Sequence, residues 1–118
     1  MQYVLLINEE EALWDNYTPQ QQGEVMEGYA KFSQYLVDNG HMRGGERLQE
    51  VHTATTVRVR DGNVTLTDGP FCETKEQLGG FYLVDAADLD EACKLAAMIP
   101  TAAAGSVEVR PIWLMEQD

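Results

Sequence analysis

The stretch Thr55-Thr56-Val57-Arg58-Val59-Arg60-Asp61-Gly62-Asn63-Val64-Thr65-Leu66-Thr67 leaves the chain little freedom. Asp-Gly between two β-prone runs predicts a two-residue type I′ turn, because both central positions of that turn need positive φ. With Asp61-Gly62 as the loop, Val59 faces Val64 and Val57 faces Leu66 on one side. Arg58 then pairs with Thr65, and Thr56 with Thr67, on the other. A slip of one residue would carry every apolar side chain to the polar face, so turn chemistry and alternation specify one register. The same ladder places Asp68 opposite Thr55 on the apolar face, where a carboxylate is costly unless hydrogen-bonded or used.

The remaining elements follow from periodicity. Tyr3-Val4-Leu5-Leu6-Ile7 predicts a strand buried on both faces, hence central in its sheet. Thr18-Pro19-Gln20-Gln21 carries the signals of a helix start: an N-cap, proline at the first helical position, and glutamine completing a capping box. Val25, Tyr29, Phe32 and Leu36 recur at helical spacing, widened by Met26 and Val37, and Asn39-Gly40 ends the helix. A short strand is expected around Glu46 to Leu48. Gly79 to Val84 predicts another strand, apolar on both sides. Asp88 and Glu91 open a second helix, with Leu89, Ala92, Cys93, Ala96 and Ala97 facing inward. Thr101 to Gly105 is expected to be an Ala-rich loop, and Val107 and Val109 mark a last strand.

The order β-α-(β)-β-β-β-α-β predicts one α+β domain over residues 1–118, of ferredoxin-like plan with both helices on one face of an antiparallel sheet. The other face then needs cover, and a second copy is the commonest solution. The doubly apolar strand Phe81 to Val84 points to dimerisation through the sheet.

Charge narrows the partners. Twenty acidic residues against eight basic give a net charge of −12, which repels polyanions and argues against nucleic acid or an anionic membrane surface. The acid is scattered apart from Glu9-Glu10-Glu11, expected to be a solvated loop. No run approaches membrane-spanning length, and the start lacks a basic region and cleavage site, so a cytoplasmic protein is expected. Cys72 and Cys93 match no metal or redox spacing; Cys93 is expected to be buried, while Cys72 lies in a polar loop. The two histidines, separated and without paired carboxylates, make no metal site, and no phosphate loop or nucleophile elbow is present.

Several residues have both a structural and a functional reading. Asp68-Gly69-Pro70-Phe71 is turn chemistry, or it aims Asp68 inward, where desolvation would raise its pKa and suit it to act as a general base. His41 follows a helix end and is expected to cap it. His52 is the better catalytic candidate, able to approach Asp68 across the hairpin. Lys75 and Glu76 form a solvated pair or a loop over a pocket, with Lys75 holding an anionic group. Glu46 and Arg47 lie at a surface bend or at a pocket mouth. Arg58 is solubilising, or it binds an anion if its face turns into a barrel between subunits.

Thr67-Asp68-Gly69-Pro70-Phe71-Cys72-Glu73-Thr74-Lys75-Glu76-Gln77-Leu78-Gly79-Gly80-Phe81 resembles the signature of the YCII-related proteins of the DGPF type. Tyr3 to Ile7, Gly44-Gly45-Glu46-Arg47-Leu48 and Thr53 to Arg58 resemble the same family. The resemblance implies a dimeric α/β-barrel fold, genes often near extracytoplasmic-function sigma factors, and a role mostly unassigned. Related members include a cofactor-independent dehydrochlorinase with a His–Asp pair whose histidine lies on the first helix. Here no histidine occurs between Thr18 and Asn39, so only Asp68 resembles that pair.

Two functions are therefore expected to compete. One is a homodimeric small-molecule binder or cofactor-independent enzyme of proton-transfer, elimination or isomerisation type. In it Asp68 is the base, with His52, Lys75, Glu46 or Arg58 orienting an anionic substrate. The other is a non-catalytic regulatory or partner module of a sigma-factor system.

Overall fold

A computed structural model describes residues 1–115, so the last three residues of the expected domain lie outside the described residues. The elements are β1 (Gln2–Glu9), α1 (Glu11–Asn16), α2 (Pro19–Asp38), β2 (Met42–Arg47), β3 (Thr55–Arg60), β4 (Asn63–Asp68), β5 (Gln77–Asp85), α3 (Leu89–Ala97) and β6 (Ser106–Pro111). Four strands form one antiparallel sheet in the order β2-β5-β1-β6, while β3 and β4 make a separate two-stranded sheet.

Alternation along β1 builds the core. Tyr3, Leu5 and Ile7 are buried beneath the helices, and Val4 and Leu6 on the opposite face are half-buried. The strand is central, as expected, but one face is covered rather than two. Tyr82 and Val84 of β5 lie across from Leu5 and Tyr3. Phe32 and Leu36 of α2 pack down on them, and Phe32 meets Tyr82 edge-to-face at 5.1 Å. Leu5 and Leu36 are fully buried, each removing roughly 1.5–3 kcal/mol of side chain from water.

The start of α2 forms as its sequence predicts. The Thr18 hydroxyl accepts from the Gln21 amide at 3.1 Å and the Gln21 side chain accepts from the Thr18 amide at 2.8 Å. Its end turns through Gly40 at φ +74, where the His41 amide reaches back to the Leu36 carbonyl at 2.8 Å. The His41 ring does not cap the helix: Nδ1 lies 2.7 Å from the Asp85 carbonyl, so the side chain ties the end of β5.

The hairpin has the expected register, Val59 opposite Val64, Val57 opposite Leu66, Thr55 opposite Asp68. Its placement differs from the expectation. It stands off as its own sheet, with Val57, Val59, Val64 and Leu66 all 58–67% exposed. The chain accordingly measures 51 × 48 × 18 Å with a radius of gyration of 16.4 Å, against about 13–14 Å for a compact chain of this length.

Four further expectations are corrected. In α3 the buried stripe is Ala92, Leu95, Ala96 and then Ile99, leaving Leu89, Cys93 and Ala97 exposed, because the helix meets the sheet one position earlier in phase. Pro100–Ala103 forms a 3-10 turn instead of a plain loop. The strand expected at Glu46 to Leu48 starts earlier, at Met42, where His41 is already fixed to β5. A third helix, α1, follows the first strand and converts the acidic run from a solvated loop into a half-buried strand-to-helix corner.

Candidate functional site

A cleft of about 310 Å³ opens between α1, α2 and the helix-covered face of β1, β2 and β5. Its wall is largely apolar, with Ile7, Val25, Met26 and Met42 meeting the polar side chains of Glu9, Tyr29, Ser33, Arg47 and Tyr82, and Trp14 closing one side. Volume and lining are those of a site for a small organic molecule.

Each polar group is positioned by a local rule. Tyr3, Leu5, Ile7 and Glu9 occupy successive inward positions of β1, so the strand's period of two delivers a carboxylate to the cleft after three buried apolar residues. Opposite it, β5 contains a bulge: Ile7 pairs with Gly80 and Asn8 with Leu78, leaving Gly79 as the extra residue. A Cβ on Gly79 would meet Glu9 Oε1 at 2.7 Å, so glycine there makes room for the carboxylate. Tyr29 and Ser33, one turn apart on α2, face the sheet. The Ser33 and Tyr82 hydroxyls are 2.9 Å apart, and the Tyr29 hydroxyl is hydrogen-bonded to Thr101. On β2, the Arg47 guanidinium lies 5.2 Å from the Trp14 ring centroid, within cation–π range.

Electrostatics couple these groups. Burial pushes the Tyr29 hydroxyl above the ordinary tyrosine range. The Thr101 hydroxyl opposes that shift, the Glu9 charge adds to it, and the Arg47 charge opposes it. The neighbours of Glu9 are otherwise engaged: Glu10 pairs with Lys75 at 4.0 Å, and Glu11 accepts from the Val51 amide at 2.8 Å.

Of the residues singled out from sequence, Glu46 and Arg47 line this cleft. The others lie elsewhere. Asp68 ends β4 and is exposed, because none of the described residues covers that face of the hairpin; the expected inward, desolvated setting is absent there. His52 sits in a 3-10 turn (Val51–Thr53), its Nδ1 3.2 Å from Glu50, and is not brought together with Asp68. Arg58 is half-buried on the hairpin opposite Thr65. Lys75 reaches Glu10, and Glu76 Oε1 accepts from the Ser106 hydroxyl at 2.6 Å. Gly69, at φ +102, donates its amide to the Ala54 carbonyl at 2.8 Å and accepts the Thr56 hydroxyl at 2.8 Å, closing the turn after Asp68. Sequence reasoning missed Glu9, Trp14, Ser33 and Tyr82. For Glu9 the signal was present: the alternation of β1 extended by two residues. Among the described residues no three of His, Cys, Asp and Glu converge as a metal site, and no helix is long and apolar enough to cross a membrane.

Fold and cleft together define a small α+β domain with an antiparallel sheet, helices over one face, and a mixed polar and apolar cavity beneath them. The chain belongs to the YCII-related domain family, whose model matches residues 1–116. It is 37% identical over 116 residues to an uncharacterized protein of Rhizobium meliloti (strain 1021), covering 97% of this chain and 94% of that one.

Proposed function

We propose that the protein works as a homodimer of ferredoxin-like, dimeric α/β-barrel type and binds a small organic molecule in the cleft under α2. The strand order β2-β5-β1-β6 supports the fold: without the inserted hairpin it is the order of a ferredoxin-like sheet. The uncovered sheet face supports the dimer. Val4 and Leu6 of β1 and Phe81 and Leu83 of β5 share it and are only half-buried, and a second copy would remove that apolar surface from water. Both cysteines are free and exposed, which fits a reducing compartment such as the cytoplasm.

The observation that carries the binding role is the cleft itself, an apolar chamber of about 310 Å³ with Arg47 at its edge and Glu9 inside. Arg47 suits an anionic group on the ligand. Glu9 and the Tyr29 and Tyr82 hydroxyls equip the site for proton transfer that needs no cofactor.

A thermal-shift screen against small carboxylates and phenols tests this, since a ligand that binds only the folded state raises the melting temperature. Met26 lines the cleft yet is 46% exposed, so Met26→Trp should fill the chamber without unfolding the protein. Ligands that stabilise the wild type should lose that effect in Met26→Trp. Undiminished stabilisation would place the binding site elsewhere.

A further inference from the structure

The cleft holds a cation and an anion that do not neutralise each other. The Arg47 guanidinium stacks on Trp14, with Nη1 3.7 Å from the Met26 sulfur, and makes no ion pair among the described residues. Glu9 is half-buried and accepts no hydrogen bond among the described residues. Among the described residues no side-chain oxygen or nitrogen is sealed from solvent without a partner, and Glu9 is part of the cleft lining. Its neighbours Glu10 and Glu11 both have partners, which makes Glu9 the member of the acidic run left for something else. Glu9 is half-buried while Arg47 remains exposed, so the unpaired carboxylate carries the desolvation cost that a matched donor would offset.

We infer that the ligand is a small ampholyte: an apolar body bearing an anionic group that Arg47 holds and an ammonium that donates to Glu9. This rests on the cleft being the binding site, and it adds the ligand's charge pattern. Such a molecule lays its body against Ile7, Val25 and Met42 while each of its charged groups replaces water at one of the two side chains. Trp14 keeps the guanidinium in place, so little side-chain freedom is lost when the anion binds. Tyr29 lies in the field of both charges, which act on its hydroxyl in opposite directions, so the two fields reach one point of the cavity.

Three matched probes test the inference by calorimetry at neutral pH: L-phenylalanine, 3-phenylpropionate and phenethylamine share one apolar body and differ only in charged groups. Phenylalanine should bind on the order of tenfold more tightly than either half-molecule, since each charge-assisted hydrogen bond adds to the same complex. Glu9→Gln should reduce phenylalanine to the level of phenylpropionate and leave phenylpropionate unchanged; Arg47→Met should reduce it to the level of phenethylamine. Equal binding of all three to the wild type, or a preference untouched by Glu9→Gln, overturns the inference, and the wild-type comparison stands even if a variant fails to fold. If none of the three binds while neutral molecules stabilise the protein in a way that Met26→Trp abolishes, the charge pattern is wrong and the binding cleft stands. If no ligand effect responds to Met26→Trp, the cleft reading falls as well.

Discussion

The hydroxyls of Ser33 and Tyr82 lie 2.9 Å apart, joining the middle of α2 to the strand beneath it. Both residues line the cleft, and the Tyr82 ring also meets Phe32 edge-to-face. Ser33→Ala or Tyr82→Phe should each cost about 1 kcal/mol, because removing one hydroxyl leaves the other half-buried without its partner. The double variant should cost less than the sum, and the difference, read from urea unfolding of all four proteins, measures the pair. Strict additivity would mean that the two hydroxyls do not meet in solution.

Gly79 and Gly80 are adjacent, yet alanine should act differently at each. At Gly79 a Cβ meets Glu9 Oε1 at 2.7 Å, the far end of a flexible side chain, whereas at Gly80 it meets the Glu46 backbone carbonyl at 2.9 Å. Gly79→Ala should therefore move the carboxylate, lowering ligand affinity several-fold with a stability loss of about 1 kcal/mol or less. Gly80→Ala forces β2 and β5 apart and should cost about 1–3 kcal/mol. Thermal unfolding with and without ligand separates the two outcomes.

The pH dependence of stability should have one slope at each extreme. At the acid end, a hydrogen bond from the Met1 terminal amine holds the Asp85 carboxyl below its ordinary 3.8. Partial burial opposes this, and the charges of that amine, Arg43 and His41 reinforce it. A depressed carboxyl stabilises the fold above its unfolded pKa, and the contribution is lost as pH falls through the folded value, so the window lies below about pH 4. Asp85→Asn should flatten that limb. At the alkaline end, burial raises Tyr29 above 10.0. Its contribution is complete below the unfolded value and disappears as pH rises through the folded one. Tyr29→Phe should remove the loss of stability above pH 10, as followed by denaturant midpoints across the range.

What could be read in the sequence is what local rules decide. The register of β3 and β4 follows from a two-residue turn and a period of two, and the cap of α2 from Thr18, Pro19 and Gln21, with no reference to the rest of the chain. Where the hairpin lies is not a local matter, and the expectation that its apolar face turned into the core failed for that reason. The phase of α3 was misjudged because Ala92, Cys93, Ala96 and Ala97 are small enough to sit on either side. Leu95 and Ile99, which are buried, decide it. Glu9 was passed over because three consecutive glutamates look like a surface, although its place in the Tyr3-Leu5-Ile7 series already aimed it inward. Trp14 lies on a helix of six residues, too short to show a period.

The hairpin makes the strongest case that the single chain is incomplete. An isolated two-stranded sheet is marginally stable in water, yet here Val57, Val59, Val64 and Leu66 present an apolar stripe that none of the described residues covers. In the homodimer proposed above, that stripe is expected to be buried against the partner. Leu66→Lys, with Val57→Lys on the facing strand, should then shift the protein from dimer to monomer in sedimentation, since two charges would enter an apolar interface. The core of α2 and the four-stranded sheet does not touch these positions, so the monomer should keep its far-ultraviolet circular dichroism. A wild type that sediments as a monomer, or a doubly substituted variant that stays dimeric, would leave the stripe facing water and remove the dimer's claim on it.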